Sequence, residues 1–219
     1  MRRALLAWVG VLTCIVSLTG CGSSGDASGA DNPGGAIIVT PSNAGGLHGA
    51  VLAEPYRLPS LTLTDTAGER FHLVEDTARP LTLVFFGYTH CPDVCSLVLA
   101  DIAAALARSD PAVRSQTQVL FVTTDPKRDT PAVIASYLAR FDPTFTGLTA
   151  TMPRISAAAD ALGVPLEGRE QLPGGGYAVG HGAQIVGVGP GDTASVVWTE
   201  GTPVTELAAD FATLVRRRT

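Results

Sequence analysis

The stretch FFGYTHCPDVCSLVLADI, residues 85–102, decides the fold. It begins inside LTLVFFGY (81–88), an almost wholly apolar run of the kind that forms a central strand covered on both faces. Cys91 and Pro92 follow at once. Then Val94, Val98, Ile102, Ala105 and Leu106 recur at the spacing of one buried helical face, with Pro92 suited to the first helical position. A strand therefore runs straight into a helix at a pair of cysteines. Amides at a helix start and the positive pole of the helix stabilise a thiolate, so a cysteine there ionises below its free value of about 8.5.

Outward from this unit the alternation continues. QVLFVTTD (118–125) reads as a second buried strand, and Thr130-Pro131 opens a helix with Val133, Ile134, Tyr137, Leu138 and Phe141 on one side. Residues 153–162 read as a third helix closed by Gly163. After a Gly/Pro-rich loop, 184–188 and 194–198 form an expected hairpin, and Thr202-Pro203 starts a last helix whose end carries Arg216 to Arg218 at its negative pole. Before the first strand, LTLTDTAGERFHLV (61–74) has two alternating runs around Ala67-Gly68, a hairpin pattern. The expected fold is α/β: a thioredoxin-like mixed sheet with helices on both faces and an added N-terminal β-hairpin.

The chain has 219 residues, of which 46% are hydrophobic, enough for one well-buried domain and a tail. The tail is at the start. Arg2 and Arg3 precede an apolar run over 4–18 that is shorter than a membrane span, the layout of an export signal. Leu18-Thr19-Gly20-Cys21 resembles the bacterial lipobox, so 1–20 is expected to be a lipoprotein signal peptide and Cys21 the lipidated (palmitate-bearing) anchor. A plain signal peptide with a chance cysteine is the alternative; the Gly/Ser-rich segment from Gly22 favours a tether over 21–50, with one short strand at 37–39. The folded domain is then 51–219, held at the extracytoplasmic face of the cell membrane. Without Arg2 and Arg3, 13 basic side chains face 20 acidic ones, which argues against a nucleic-acid partner.

Of four cysteines, Cys14 falls in the discarded run and Cys21 at the anchor, leaving Cys91 and Cys95. Cys-x-x-Cys suits fast disulfide formation. Cys91-Pro-Asp-Val-Cys95 inserts a third residue and sets the sulfurs one helical turn apart on one side, where a single soft ion fits between them. Thiolates favour copper(I) or zinc. A stabilising disulfide is the plainer reading, weakened because so short a closure constrains little chain. Two thiolates leave a metal incompletely coordinated, so a third ligand is sought among four histidines. His48 lies in the tether, His72 in an alternating strand, and His90 beside Cys91 points elsewhere, at most a supporting residue. His181, between Gly180 and Gly182 just before a strand, lies where this fold returns a loop over the helix start; the glycines permit unusual backbone angles and close approach.

FGYTHCPDVC (86–95), TTDPKRDTP (123–131) and the late His181 resemble the Sco/SenC family of copper-binding, thioredoxin-like proteins, from about residue 50 to the C-terminus. By position, the resemblance makes Cys91, Cys95 and His181 ligands of copper, as Cu(I) or Cu(II). It implies a metallochaperone rather than an enzyme, one that helps load the dinuclear copper centre on the copper-accepting subunit of cytochrome c oxidase, in part by reducing that target's cysteines. The alternatives are a thiol-disulfide reductase using Cys91 and Cys95 on exported disulfide partners, and a peroxidase, whose reactive cysteine stands in a different context. Two positions depart from the family pattern: Ser96 stands where proline is common, and Gly180-His181-Gly182 replaces Asp-His-Ser/Thr, removing a possible partner for the imidazole. Asp125 and Asp129 match a family segment near the site, with turn formation or helix capping as the plainer explanation.

Overall fold

Strand β4 (Leu81–Gly87) is buried along its whole length, as its unbroken apolar run requires. It lies inside an eight-stranded sheet of order β1-β10-β9-β4-β5-β6-β2-β3. These strands are β1 (Ala50–Arg57), β2 (Thr62–Asp65), β3 (Arg70–His72), β5 (Thr117–Thr123), β6 (Thr146–Thr149), β9 (Ile185–Gly189) and β10 (Thr193–Trp198). A separate two-stranded sheet pairs β7 (Leu166–Gln171) with β8 (Tyr177–His181). The helices are α1 (Val94–Arg108), α2 (Pro111–Ser115), α3 (Pro131–Leu138), α4 (Met152–Ala161) and α5 (Val204–Arg216). These elements come from a computed structural model that describes residues 46–77, 79–173 and 175–217. The expected signal segment, Cys14, Cys21 and the expected strand at 37–39 lie outside them.

β4, β5 and β6 run parallel, and every other pairing in the sheet is antiparallel. Side chains alternate across the pleat. Leu81, Leu83 and Phe85 point to a core shared with α1, α3 and α5, whereas Val84 and Phe86 join Leu120, Val122, Ile155 and Ala159 in a second core under α4. Both faces are covered, so the mixed α/β sheet is as expected, and β2–β3 forms the expected hairpin with Thr62 opposite His72.

Several elements differ from the sequence reading. β1 starts at Ala50, within what reads as tether, and contacts extend back to the buried Leu47. Its pattern is obscured because Pro55 cannot donate to a ladder; the pairing with β10 breaks between Val51 and Tyr56, as an edge strand tolerates. β6 is only four residues long, with Gly147 at its centre. The polar, exposed sequence of β7 hides a strand whose order comes from β8 rather than from a buried face. α1 starts at Val94, so Pro92 lies in the turn before the helix.

Candidate metal centre

The end of β4 and the start of α1 supply two sulfurs. Cys91 sits in a turn closed by its own N–H on the Tyr88 carbonyl at 3.2 Å. The pair therefore does not ride on consecutive turns of one helix, as the spacing suggests; the loop folds back so that the Cys91 sulfur meets backbone N–H groups of Asp93 and Cys95. The Asp93 side chain makes no cap bond at this helix start. Cys95 is fully buried. Gly87 makes room for it: a Cβ there would lie 3.0 Å from the Cys95 Sγ and 3.0 Å from the Phe121 ring.

The two thiols divide a proton unequally. A hydrogen bond from Cys95, opposed by burial and helped by His181 and the two amides, lowers Cys91 to about 3. The same bond, with burial, pushes Cys95 far up. Cys91 is thus the thiolate and Cys95 the donor, an order set by burial and helix amides. Tyr88, almost wholly buried beside them, is raised chiefly by burial.

β8 delivers the third group. His181 is its last residue, and its Nε2 lies 3.3 Å from Cys95 Sγ. Its Nδ1 is 3.0 Å from the carbonyl of Gly182, which can only accept, so Nδ1 carries a hydrogen and Nε2 is the nitrogen that faces the sulfurs. That carbonyl takes the place of the missing neighbouring aspartate. The ring stands edge-on to Tyr88, with centroids 5.8 Å apart, and to Phe85, 6.2 Å apart. Gly180 and Gly182 serve through close approach rather than unusual angles, since neither has a positive φ; a Cβ on Gly182 would lie 2.2 Å from Gln184 Oε1.

The ligand atoms of Cys91, Cys95 and His181 all lie within 4.8 Å of one another. Metal–sulfur bonds of about 2.3 Å put donors in a trigonal site about 4 Å apart, so little movement would bring these three onto one ion. Two soft sulfurs and a neutral imidazole suit copper or zinc.

What holds His181 over the cysteines was not legible in the sequence. Asp125, just after β5 and fully buried, accepts from Arg128, from Arg169 of β7 at 3.1 Å, and from the Tyr177 hydroxyl of β8 at 3.0 Å to each oxygen. Arg128 also donates to the Tyr177 carbonyl at 3.2 Å, and its guanidinium lies 3.7 Å from the centre of the Tyr177 ring. The cluster fastens the β7–β8 hairpin to the sheet. Asp125 is therefore more than a turn residue. Asp129, also buried, takes bonds from the Thr89 N–H (3.0 Å), the Thr89 hydroxyl (2.7 Å) and the Thr123 hydroxyl (2.6 Å), fixing the loop before Cys91. His90 bonds Thr89, and the three-residue cluster of Cys91, Cys95 and His181 does not include it. His72 bonds Thr62 across the hairpin. His48, expected to be a solvated tether residue, is exposed but also anchored, with its Nδ1 2.9 Å from buried Asp210.

Sheet, helix positions and site together define a thioredoxin-like protein in which two cysteines and a histidine cluster as candidate metal ligands. Residues 54–216 match the SCO1/SenC family model, and the chain belongs to that family. The human mitochondrial SCO1 homolog is 31% identical over 156 residues, 71% of this chain and 52% of the human protein. The chain spans about half the length of the curated relatives it matches. Among solved structures, apo Sco1 from Thermus thermophilus is 30% identical with a TM-score of 0.67, covering 77% of this chain and 96% of that one. ScoI of Bradyrhizobium japonicum, solved with copper bound, is 29% identical with a TM-score of 0.61, covering 76% and 98%.

Proposed function

We propose that this protein is a membrane-anchored copper metallochaperone that carries one copper ion on Cys91, Cys95 and His181 and assists assembly of the dinuclear copper centre of cytochrome c oxidase. The convergence of those three donor atoms within 4.8 Å carries the reading. The solved relative with copper bound favours copper over zinc as the cargo. Copper(I) is content with two thiolates, and the imidazole adds the harder donor that copper(II) requires. Cys91 is the partly accessible sulfur and Cys95 the buried one, so an acceptor's thiolate would enter on the Cys91 side. Cys95 and His181 hold the ion until the exchange is complete, and no free ion forms. The lipid on Cys21 would keep this exchange at the extracytoplasmic face of the membrane.

The test is copper stoichiometry and absorption spectra of the reduced protein. One copper per chain is expected. Cys91→Ala and Cys95→Ala should lose it, and His181→Ala should keep copper(I) while losing the sulfur-to-copper(II) band. Retention at the wild-type level by all three variants refutes the assignment.

One observation favours a second reading, thiol-disulfide reduction: a partly exposed Cys91 thiolate beside a protonated Cys95. Cys91 would attack a partner disulfide to form a mixed disulfide. Cys95 would then displace the partner's thiol, leaving the pair oxidised and the partner reduced. Full reductase activity of His181→Ala with copper(II) binding lost would favour this reading.

A further inference from the structure

Beside the metal centre runs a groove of about 440 Å³ that neither chemistry above uses. One wall is a single line along α1, because Asp93, Leu97 and Asp101 recur every fourth residue. Glu200 and Gly201, in the turn between β10 and α5, form the other wall, and buried Val98 lies beneath. Asp93 lines the groove with its side chain and meets the Cys91 sulfur through its backbone N–H, so one end of the groove adjoins the turn that carries Cys91.

Two features of the groove stand out among the described residues. Leu97 is 61% exposed, more than any other large apolar side chain among the described residues. None of the ion pairs among the described residues involves Asp93, Asp101 or Glu200. Three carboxylates line the same groove as this apolar side chain. A copper(I) ion on two thiolates leaves the adjoining site with a net charge of −1, which adds to the negative field of the carboxylates at this mouth. A second copy of the same groove would bring like charges together, and an anionic lipid surface would be repelled.

We infer that the groove docks the copper-accepting protein, through a segment that sets lysine or arginine beside an apolar side chain. The cations face Asp93, Asp101 and Glu200, and the apolar group covers Leu97. This deepens the copper-transfer reading and rests on it. Opposite charge at the rim would speed encounter, and burial of Leu97 would slow departure.

The probe is the soluble domain of the copper-accepting subunit of cytochrome c oxidase from the same source. Its association is timed against the reduced, copper-free protein and against the copper(I)-loaded protein, at about 20 mM and about 200 mM salt, across which charge screening changes strongly. Asp93 is left intact because it lies between the ligands. The double variant Asp101→Asn/Glu200→Gln should associate about fivefold more slowly at low salt and nearly like the wild type at high salt. Leu97→Gln should dissociate about tenfold faster at both salts, the scale of one well-covered contact. The control Glu54→Gln/Glu69→Gln/Asp160→Asn, exposed acids elsewhere, should change neither rate. Wild-type rates in both groove variants, equal slowing in the control, or no association of the domain with the wild type overturns the inference. If the chain alone takes up no copper, the transfer reading fails, whereas the copper-free arm still decides whether the groove binds this domain.

Discussion

Tyr177→Phe separates the two oxidation states of the cargo. The substitution keeps the ring under Arg128 and removes only the hydroxyl that donates to both oxygens of buried Asp125. A hydrogen bond to a charged group contributes about 1.5–3 kcal/mol, and a factor of ten in an equilibrium corresponds to about 1.4 kcal/mol. The hairpin should therefore open roughly 10- to 100-fold more readily. Arg169 still holds it to Asp125 and Arg128 to the Tyr177 carbonyl, so the fold should survive. The cysteines lie on other elements and are untouched. Affinity for copper(II), which needs the imidazole, should fall by up to that factor, while copper(I) affinity on the thiolates should change less than threefold. Competition with chelators of known strength measures both affinities, and amide exchange over β7 and β8 reports the opening. Equal losses for the two ions, or unchanged exchange in the hairpin, would refute the latch.

Two further outcomes follow from the same geometry. Because Cys91 is lowered to about 3, its alkylation by iodoacetamide in the reduced protein should be flat between pH 5 and pH 9; a rate rising tenfold per unit up to about 8.5 would mean an ordinary thiol. Asp210→Ala should destabilise the domain by about 2–5 kcal/mol, because the Trp198 indole N–H (2.8 Å) and the Gly49 amide (2.8 Å) lose their buried acceptor. By calorimetry the midpoint should drop by roughly 5–15 °C. Burial acts to raise Asp210, but bonds from Trp198, His48 and Gly49 outweigh it and the carboxyl is lowered from 3.8. Its contribution is therefore complete above pH 3.8 and fades as acid protonates it below that value, so the wild type should approach the variant's stability only in strong acid. An unchanged midpoint, or a gap that persists at low pH, would contradict this account.

Much of the fold was legible because its signals are local. The apolar run of β4, the 3.6-residue spacing after Cys95 and the prolines opening α3 and α4 each depend on neighbours in the chain. β6 and β7 escaped for the opposite reason. Four residues around a glycine carry no period, and an exposed polar strand is ordered only by its partner. Among site residues, the cysteines were marked by their motif and His181 by its glycines, but Arg169 and Tyr177 had no signal, since a polar loop with an arginine and a tyrosine is ordinary.

The sequence alone determined that a strand feeds a helix at two cysteines, and which histidine to examine. Tertiary structure alone decided that Cys91 precedes the helix, that Gly182 orients the imidazole, and that Asp125 fastens the hairpin. The division is one of range. Hydrophobic period and turn chemistry act over a few residues, whereas the Cys95–His181 contact joins residues 86 apart and depends on the separate β7–β8 hairpin being fastened beside the start of α1.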